Sequence, residues 1–368
     1  VNTELRDLLV QAGYARAARP DFRWHQVIVH RNIASVPPAR HVGGAAVWNH
    51  GFNLILLEEN GTPTHYAKCR PASVSGTMHE ATVLAALATD PDLADIIPPT
   101  QSASSATLTV QVSRFIGDRP WDADSIRGNV IAWTRAVREI LAIVSRLAER
   151  ALVLLPDQES QGPVHPGEDV RALLAALAPI GLPNESQDVL LAAGDSAPAV
   201  VARPQHGDLW PANLIERPGG GWWLLDFEMY GRIRMPFHDV FHLVRTSASL
   251  EDGRTWLQQL AAGDEWAVAQ QLTIREAAAN SALPAGALSA LAIYYFAEMT
   301  ARLYRSGTPP SFWKPYLSEL HDAAQHLRQF GTIEDLLVGS RGGSADSSTA
   351  ELRRDAVRGD DPTAPRRK

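Results

Sequence analysis

The segment His206-Gly-Asp208-Leu-Trp-Pro-Ala-Asn213, followed by Leu225-Asp226-Phe-Glu228, sets Asp208, Asn213 and Asp226, two carboxylates and an amide, at a spacing that could serve one small volume. Between them, Leu214-Ile-Glu216 and Trp222-Trp-Leu-Leu225 are apolar runs separated by Arg217-Pro-Gly-Gly-Gly221, a composition that reverses the chain and tolerates positive φ. A β-hairpin there sets Asn213 and Asp226 across from one another at its open end, with Asp208 one loop away. Hard divalent ions such as Mg²⁺ take oxygen ligands and are usually held by one or two protein groups plus substrate phosphates, which Asn213 and Asp226 can supply. Asp208 is then left off the metal, placed to orient an attacking hydroxyl and accept its proton. Taken singly, Asp208 and Asn213 would read as turn formers bonding their own backbone; the whole set at this spacing favours the chemical reading. His206 reads as a loop brace, and Gly219 to Gly221 as turn residues only.

The pattern H-G-D-x-x-x-x-N, then an apolar strand ending in D-F-E at the distance of a tight hairpin, resembles the catalytic loop and metal-binding strand of the aminoglycoside phosphotransferase and choline kinase-like superfamily. The resemblance implies an α+β, bilobal protein-kinase-like fold with a small antiparallel β-sheet N-lobe and a larger, mostly helical C-lobe. It also implies that Asp208 is the catalytic Asp and that Asn213 and Asp226 are the Mg²⁺ ligands. Glu228 stands where a protein kinase's D-F-G has Gly, as in the small-molecule branch, and this speaks against a protein substrate.

Such a fold needs a lysine for the nucleotide phosphates and a helix carrying its acidic partner. Phe52-Asn-Leu-Ile-Leu-Leu57 and Thr64-His-Tyr-Ala-Lys-Cys-Arg70 flank Glu58-Glu-Asn-Gly61, where Asn60-Gly61 is a strong hairpin signal. Alternation puts Tyr66, Lys68 and Arg70 on one face and Ala67 and Cys69 on the other. Lys68 is the candidate nucleotide lysine, with Arg70 as substitute and a solvated strand residue as the plain alternative. The next helical segment, Glu80-Ala-Thr-Val83-Leu84-Ala-Ala-Leu87, carries a single acid at its start. Glu80 could pair with Lys68. Thr77-Met-His-Glu80 also fits a capping box, in which Glu80 only bonds the backbone of the cap residue, but the pairing is the favoured reading and makes Glu80 a nucleotide-site candidate.

His41-Val-Gly43-Gly44 through Gly51 is the candidate phosphate loop, although it is not G-x-G-x-x-G and no Walker-type sequence occurs; a plain turn fits it as well. Ala106 to Gly117 reads as a strand running into a hinge, where the resemblance places the adenine ring against backbone near Ser113, Phe115 and Ile116. Further on, Val130, Trp133, Val137, Ile140, Leu141, Val144 and Leu147 form an amphipathic helical stripe, and Ala290 to Met299 is helical too. His238 and His242 stand four apart and could bind zinc, but H-x-x-x-H lacks the Glu of a zincin, so a structural role is the expected one. Asp239 is expected to be structural as well.

These elements suggest an N-terminal β-rich nucleotide-binding lobe over 1–117, a helical lobe with the catalytic loop and acceptor site over 118–338, ATP in the cleft between them, and a disordered tail over 339–368, which is polar and poor in apolar groups. Residues 1–19 could form a helix packing on the sheet through Leu5, Leu8, Leu9 and Ala12. Gln158 to Glu168 reads as a linker.

Composition is that of a globular enzyme, with 45% apolar and 20% charged residues in a chain of 368. A net charge of −7 and the lack of a basic run interleaved with aromatics before the tail give no footprint for nucleic acid. The single Cys69 excludes an internal disulfide, and no signal peptide or long apolar run is visible, which points to a cytoplasmic protein without a membrane span. The expected activity is Mg²⁺-dependent transfer of the γ-phosphoryl group of ATP to a hydroxyl of a sugar, an aminoglycoside-like antibiotic or an amino alcohol, by a monomer or homodimer. The alternatives are a nucleotide-binding pseudokinase without turnover and, more remotely, a zinc hydrolase at His238 and His242.

Overall fold

The structure is a computed structural model that describes residues 3–19, 40–42, 45–47, 51–58, 60–73, 75–117, 121–122, 129–155, 162–248 and 253–339. The glycines at 43 and 44 of the candidate phosphate loop, and the tail from 340 onward, lie outside these residues. In chain order the elements are α1 (Thr3–Gln11), β1 (Arg40–Val42), β2 (Ala45–Val47), β3 (Phe52–Leu57), β4 (Pro63–Pro71), α2 (Ser75–Leu87), β5 (Thr100–Ser104), β6 (Leu108–Arg114), α3 (Val130–Leu154), β7 (Pro163–Val164), α4 (Pro166–Leu177), α5 (Asn184–Asp195), β8 (Val200–Val201), β9 (Leu214–Glu216), β10 (Trp222–Leu224), α6 (His238–Ser247), α7 (Trp256–Ala262), α8 (Glu265–Asn280), α9 (Ala287–Arg305), α10 (Pro310–Phe330) and α11 (Glu334–Val338). By its contacts the chain forms two units. One gathers residues 1–121, 143–159 and 204–233, and the other residues 122–142, 160–203 and 234–368.

The first unit is built on an antiparallel sheet of order β3-β4-β6-β5. The β3–β4 hairpin turns at Asn60-Gly61, where Gly61 adopts φ 83 and the Glu58 amide donates to the Thr62 carbonyl at 2.8 Å. Register pairs Ala67 with Leu54 and Val112, and Cys69 with Phe52 and Val110. This apolar face is buried against Leu5, Leu8, Leu9 and Ala12 at the N-terminus. α1 has only nine residues, too few to stand as an isolated helix. Each buried leucine contributes about 1.5–3 kcal/mol relative to exposure, so packing on the sheet is what holds α1 in place. Cys69 is fully buried there, and burial pushes its thiol up. The opposite face carries Asn53 and Ile55 from β3, Tyr66, Lys68 and Arg70 from β4, and Gln111 and Ser113 from β6, placed by the same register.

The second unit is mainly helical. α9 is buried over nearly its whole circumference from Ala287 to Ala301, which marks it as the central helix. α4, α10, α5 and α6 pack on it. A buried ion pair joins Arg245 to Glu319 at 3.4 Å. Glu319 also accepts from the amides of Trp256 and Leu257 at 2.7 and 3.1 Å, satisfying the start of α7.

The second unit also decides the two histidines. His238 Nε2 lies 3.1 Å from Glu298, and His242 Nδ1 lies 3.1 Å from the Tyr295 hydroxyl. Burial works against charging His238, but Asp239 and Glu298 outweigh it and hold the imidazolium above its usual range. Both rings are committed to helix packing. In the stretch read as a linker, the described residues from 162 onward are structured: β7 pairs with β8, and Glu168 stands in the first turn of α4. Among the described residues, no helix is long and apolar enough to cross a membrane.

Candidate active site

β9 and β10 pair antiparallel, with Trp222 opposite Glu216 and Leu224 opposite Leu214. The turn between them uses Gly219, Gly220 and Gly221, all at positive φ. The pairing continues with the Leu225 amide donating to the Asn213 carbonyl at 2.9 Å. Asn213 therefore faces Leu225, and Asp226 stands one residue past the position directly across, where strand geometry gives way to a left-handed conformation of φ 63, ψ 72. Asp is one of the few non-glycine residues that visit this region routinely. The consequence is a carboxylate turned out of the hairpin just where the strand ends.

Upstream, the loop is fixed by Gly207. Its φ is 79, and a Cβ there would lie 2.9 Å from Met229 Cβ, so glycine answers both a conformational and a steric demand. His206 is fully buried with its ring 4.9 Å from that of Phe227. The Asn213 side-chain amide donates to the Asp208 carbonyl at 2.8 Å and to Asp208 Oδ2 at 3.0 Å. Because Asp208 presents only acceptors at those two points, the nitrogen of Asn213 must face it. Asn213 Oδ1 is the atom left for a cation.

Lys68 sits at the centre of the charged groups. Its Nζ lies 2.8 Å from Glu80 Oε2, 2.9 Å from Asp226 Oδ1 and 2.8 Å from Glu228 Oε1. Burial works against its charge, but Asp226, Glu80 and Glu228 outweigh it and hold the ammonium above its usual range. For Asp226 burial opposes ionisation too, and Lys68 more than compensates, so its carboxyl is held below the usual carboxylate range. Glu80 is pushed up by burial in spite of Lys68. It is also tied to the Phe227 amide at 2.9 Å, which joins α2 to the turn after β10. Since α2 begins at Ser75, Thr77 lies inside the helix, and Glu80 bonds Lys68 in place of a cap backbone.

Arg70 lines the cavity above these groups, with its Nε 3.8 Å from Glu228 Oε1. Its Nη1 donates to the Phe52 carbonyl, Asn53 Oδ1 and its neighbour's carbonyl at 3.0–3.2 Å, which clamps β4 to β3. A Cβ on Gly51 would lie 2.2 Å from Arg70 Cδ, so the glycine there makes room for this clamp. Glu228 is the participant that motif reading passes over. The signal was present, since it lies two residues beyond Asp226 in D-F-E.

A cavity of about 360 Å³ opens over this cluster, within the size range of small-molecule sites. Lys68, Glu80, Ser113, Phe115, Ile116, Asp208, Asn213 and Asp226 all line it, and all belong to the first unit. Ser113, Phe115 and Ile116 enter through β6 and its continuation, where the Phe115 amide is bonded to the Thr64 carbonyl at 2.8 Å. Tyr66, also on the wall, has its phenol pushed up to about 12 by burial and stays neutral. Oxygens of Glu80, Asp226 and Glu228 come within 4.8 Å of one another, and three carboxylates around one ammonium leave negative charge in excess. An all-oxygen, acid-rich donor set of this kind fits a hard cation such as Mg²⁺.

Replacing Lys68 by Met is expected to lower thermal stability, because Glu80 would stay buried without its counter-ion. Removing one partner of a buried pair costs about 3–5 kcal/mol, whereas the partly exposed Asp226 and Glu228 can rehydrate. Adding Glu80→Gln to Lys68→Met should recover most of the melting temperature while nucleotide binding, followed by calorimetry, stays weak. Wild-type nucleotide affinity in the double variant would remove Lys68 from the site.

No protein-family model matches the chain, and no curated protein matches it by sequence. Solved structures do. The GDP and kanamycin complex of APH(2")-IIia superposes with a TM-score of 0.51 at 11% identity, covering 88% of this chain and 99% of that one. A Ralstonia eutropha protein described as a candidate aminoglycoside phosphotransferase superposes with a TM-score of 0.53 at 14% identity, covering 96% of this chain and 98% of its own. The fold is thus the protein-kinase-like fold that these two structures share.

Proposed function

We propose that the chain is a phosphotransferase that moves the γ-phosphoryl group of ATP to a hydroxyl of a small molecule. One observation carries the reading: a buried lysine with its helix-borne glutamate, an Asp at the end of a hairpin, and an Asn bonded to a second Asp all line one cavity. The fold of the solved relatives supports the class of reaction.

In this reading Asn213 and Asp226 hold Mg²⁺, with Glu228 close by. The ion when bound neutralises charge on the phosphates. Lys68, pinned by Glu80, positions the nucleotide phosphates, and the backbone near Ser113, Phe115 and Ile116 receives the base. Asp208, oriented by Asn213, holds the acceptor hydroxyl in line with the γ-phosphorus and takes up its proton as the new O–P bond forms and the bond to the β-phosphate oxygen breaks. The protein supplies position and charge, which is most of what phosphoryl transfer requires.

The test is nucleotide consumption over a panel of hydroxylated small molecules, including kanamycin, free sugars and choline, with ATP or GTP and with or without Mg²⁺. ADP release that needs both metal and one acceptor class is the expected result. Nucleotide binding with no turnover on any acceptor would favour a pseudokinase, a reading in which the same cavity holds nucleotide without transfer.

A further inference from the structure

The glutamate of α2 has a neighbour that the proposed reaction leaves unused. His79 Nε2 lies 2.7 Å from the carbonyl oxygen of Tyr230, four residues beyond Asp226. A carbonyl can only accept, so the imidazole must carry a hydrogen on Nε2 and donate it. Glu80, the next residue, accepts from the Phe227 amide at 2.9 Å. Two adjacent residues of α2 thus grip the two ends of one short turn, which is closed by the Tyr230 amide donating to the Phe227 carbonyl at 3.1 Å.

The two grips differ in what they restrain. Glu80 reaches the turn through a side chain that also bonds Lys68 at 2.8 Å, and a segment held at one point still pivots about it. The bond from His79 to Tyr230, three residues on from Phe227, removes the pivot. It also extends the hold towards Asp208. The peptide joining Tyr230 to Gly231 offers its carbonyl to His79 and its N–H to the Gln205 carbonyl at 2.8 Å, and Gln205 stands three residues before Asp208. The Gln205 amide in turn donates to the Ile233 carbonyl at 3.1 Å. Tyr230 itself is buried, with its hydroxyl donating to the Leu147 carbonyl at 3.3 Å, so the residue has little room to yield. Every group in this chain of bonds belongs to the first unit.

We infer that His79 is a positioning residue: through the peptide between Tyr230 and Gly231 it fixes the spacing between the carboxylates of Asp226 and Asp208. His79 is not among the residues that line the cavity, so it acts through the turn. Losing the donor frees the turn to pivot on Glu80. Lys68 keeps its anchor on Glu80, while the metal carboxylate and the proton acceptor lose their common reference. The loss therefore falls on metal affinity and kcat, which depend on the placement of those two acids, and spares the contact of Lys68 with the nucleotide phosphates. This inference rests on the phosphotransferase reading of the same site.

The experiment compares the full-length wild type with three variants. His79→Phe keeps a ring but no donor, His79→Gln carries its nitrogen at a reach close to that of the imidazole Nε2, and His79→Asn holds a donor too short to arrive. Mn²⁺ affinity is read first by paramagnetic relaxation, with ADP present and no turnover. Steady-state kinetics at saturating Mg²⁺ follow on any acceptor that the panel identifies, and melting temperature checks folding. In His79→Phe and His79→Asn, Mn²⁺ affinity and kcat should each fall by about 10- to 100-fold, the usual loss when a group that orients a metal ligand is removed, with the ATP KM little changed. His79→Gln should recover most of both, and it carries the comparison with His79→Asn if His79→Phe does not fold. Wild-type metal affinity in His79→Asn, or a His79→Gln as impaired as His79→Asn, would overturn the assignment. A wild type that binds Mn²⁺ and ADP but turns over no acceptor would sink the phosphotransferase reading, while the metal comparison still decides His79. No metal binding by the wild type would overturn both.

Discussion

Asp208→Asn is expected to lower kcat by roughly 10²- to 10⁴-fold, the usual contribution of a positioned proton acceptor, with ATP affinity little changed. That is about 2.7 to 5.5 kcal/mol of the barrier. The substitution suits the question because the fold can absorb it. Asp208 accepts from the side-chain amide of Asn213 through Oδ2 and through its backbone carbonyl. An Asn at 208 still offers a carbonyl oxygen to the first contact and leaves the second untouched. Loop geometry and the orientation of Asn213 therefore survive, and what disappears is the negative charge and the capacity to take a proton. Steady-state kinetics at saturating acceptor, with nucleotide binding measured separately, checks this. Wild-type kcat in Asp208→Asn would mean that another group accepts the proton.

Asp226→Asn should have the other large effect, removing metal-dependent nucleotide binding along with turnover. The Asn variant is more informative than Ala here because of the backbone. Asp226 is left-handed at φ 63, a conformation that Asn accepts but that costs most residues about 1–2 kcal/mol. Asp226→Ala mixes this strain with the loss of the carboxylate, whereas Asp226→Asn isolates the charge. Titrating Mn²⁺ into the variant with ADP present, by calorimetry or paramagnetic relaxation, reads the metal site without any turnover. Normal metal affinity in Asp226→Asn would remove Asp226 from the metal site.

Particular residues show what could be read from the sequence. Asn60-Gly61 and the two runs beside it gave the β3–β4 hairpin because turn chemistry and strand alternation are local signals, and they also placed Lys68 on the polar face. The role of Glu80 stayed open between capping and pairing, since both patterns demand the same letters. The start of α2 at Ser75, ahead of Thr77, separates them, and no periodicity reveals that. The hairpin after Asn213 was legible, but its register was not. A shift of one residue puts Leu225 opposite Asn213, and the left-handed turn at Asp226 restores the carboxylate to the site. Glu228 stands in the D-F-E motif, but its pairing with Lys68 joins residues far apart in the chain and could not be read from the letters beside it. β7 and β8 are two-residue strands, too short for alternation to register.

The sealed position of Cys69 has a practical use. It is the chain's one sulfhydryl, is fully buried in the core that includes the leucines of α1 and resists ionising, so maleimide reagents should pass it by. A cysteine engineered onto an exposed helix of the second unit would then be the sole attachment point for a dye or spin label. Movements that accompany ligand uptake could be followed spectroscopically without first stripping the protein of its native thiol.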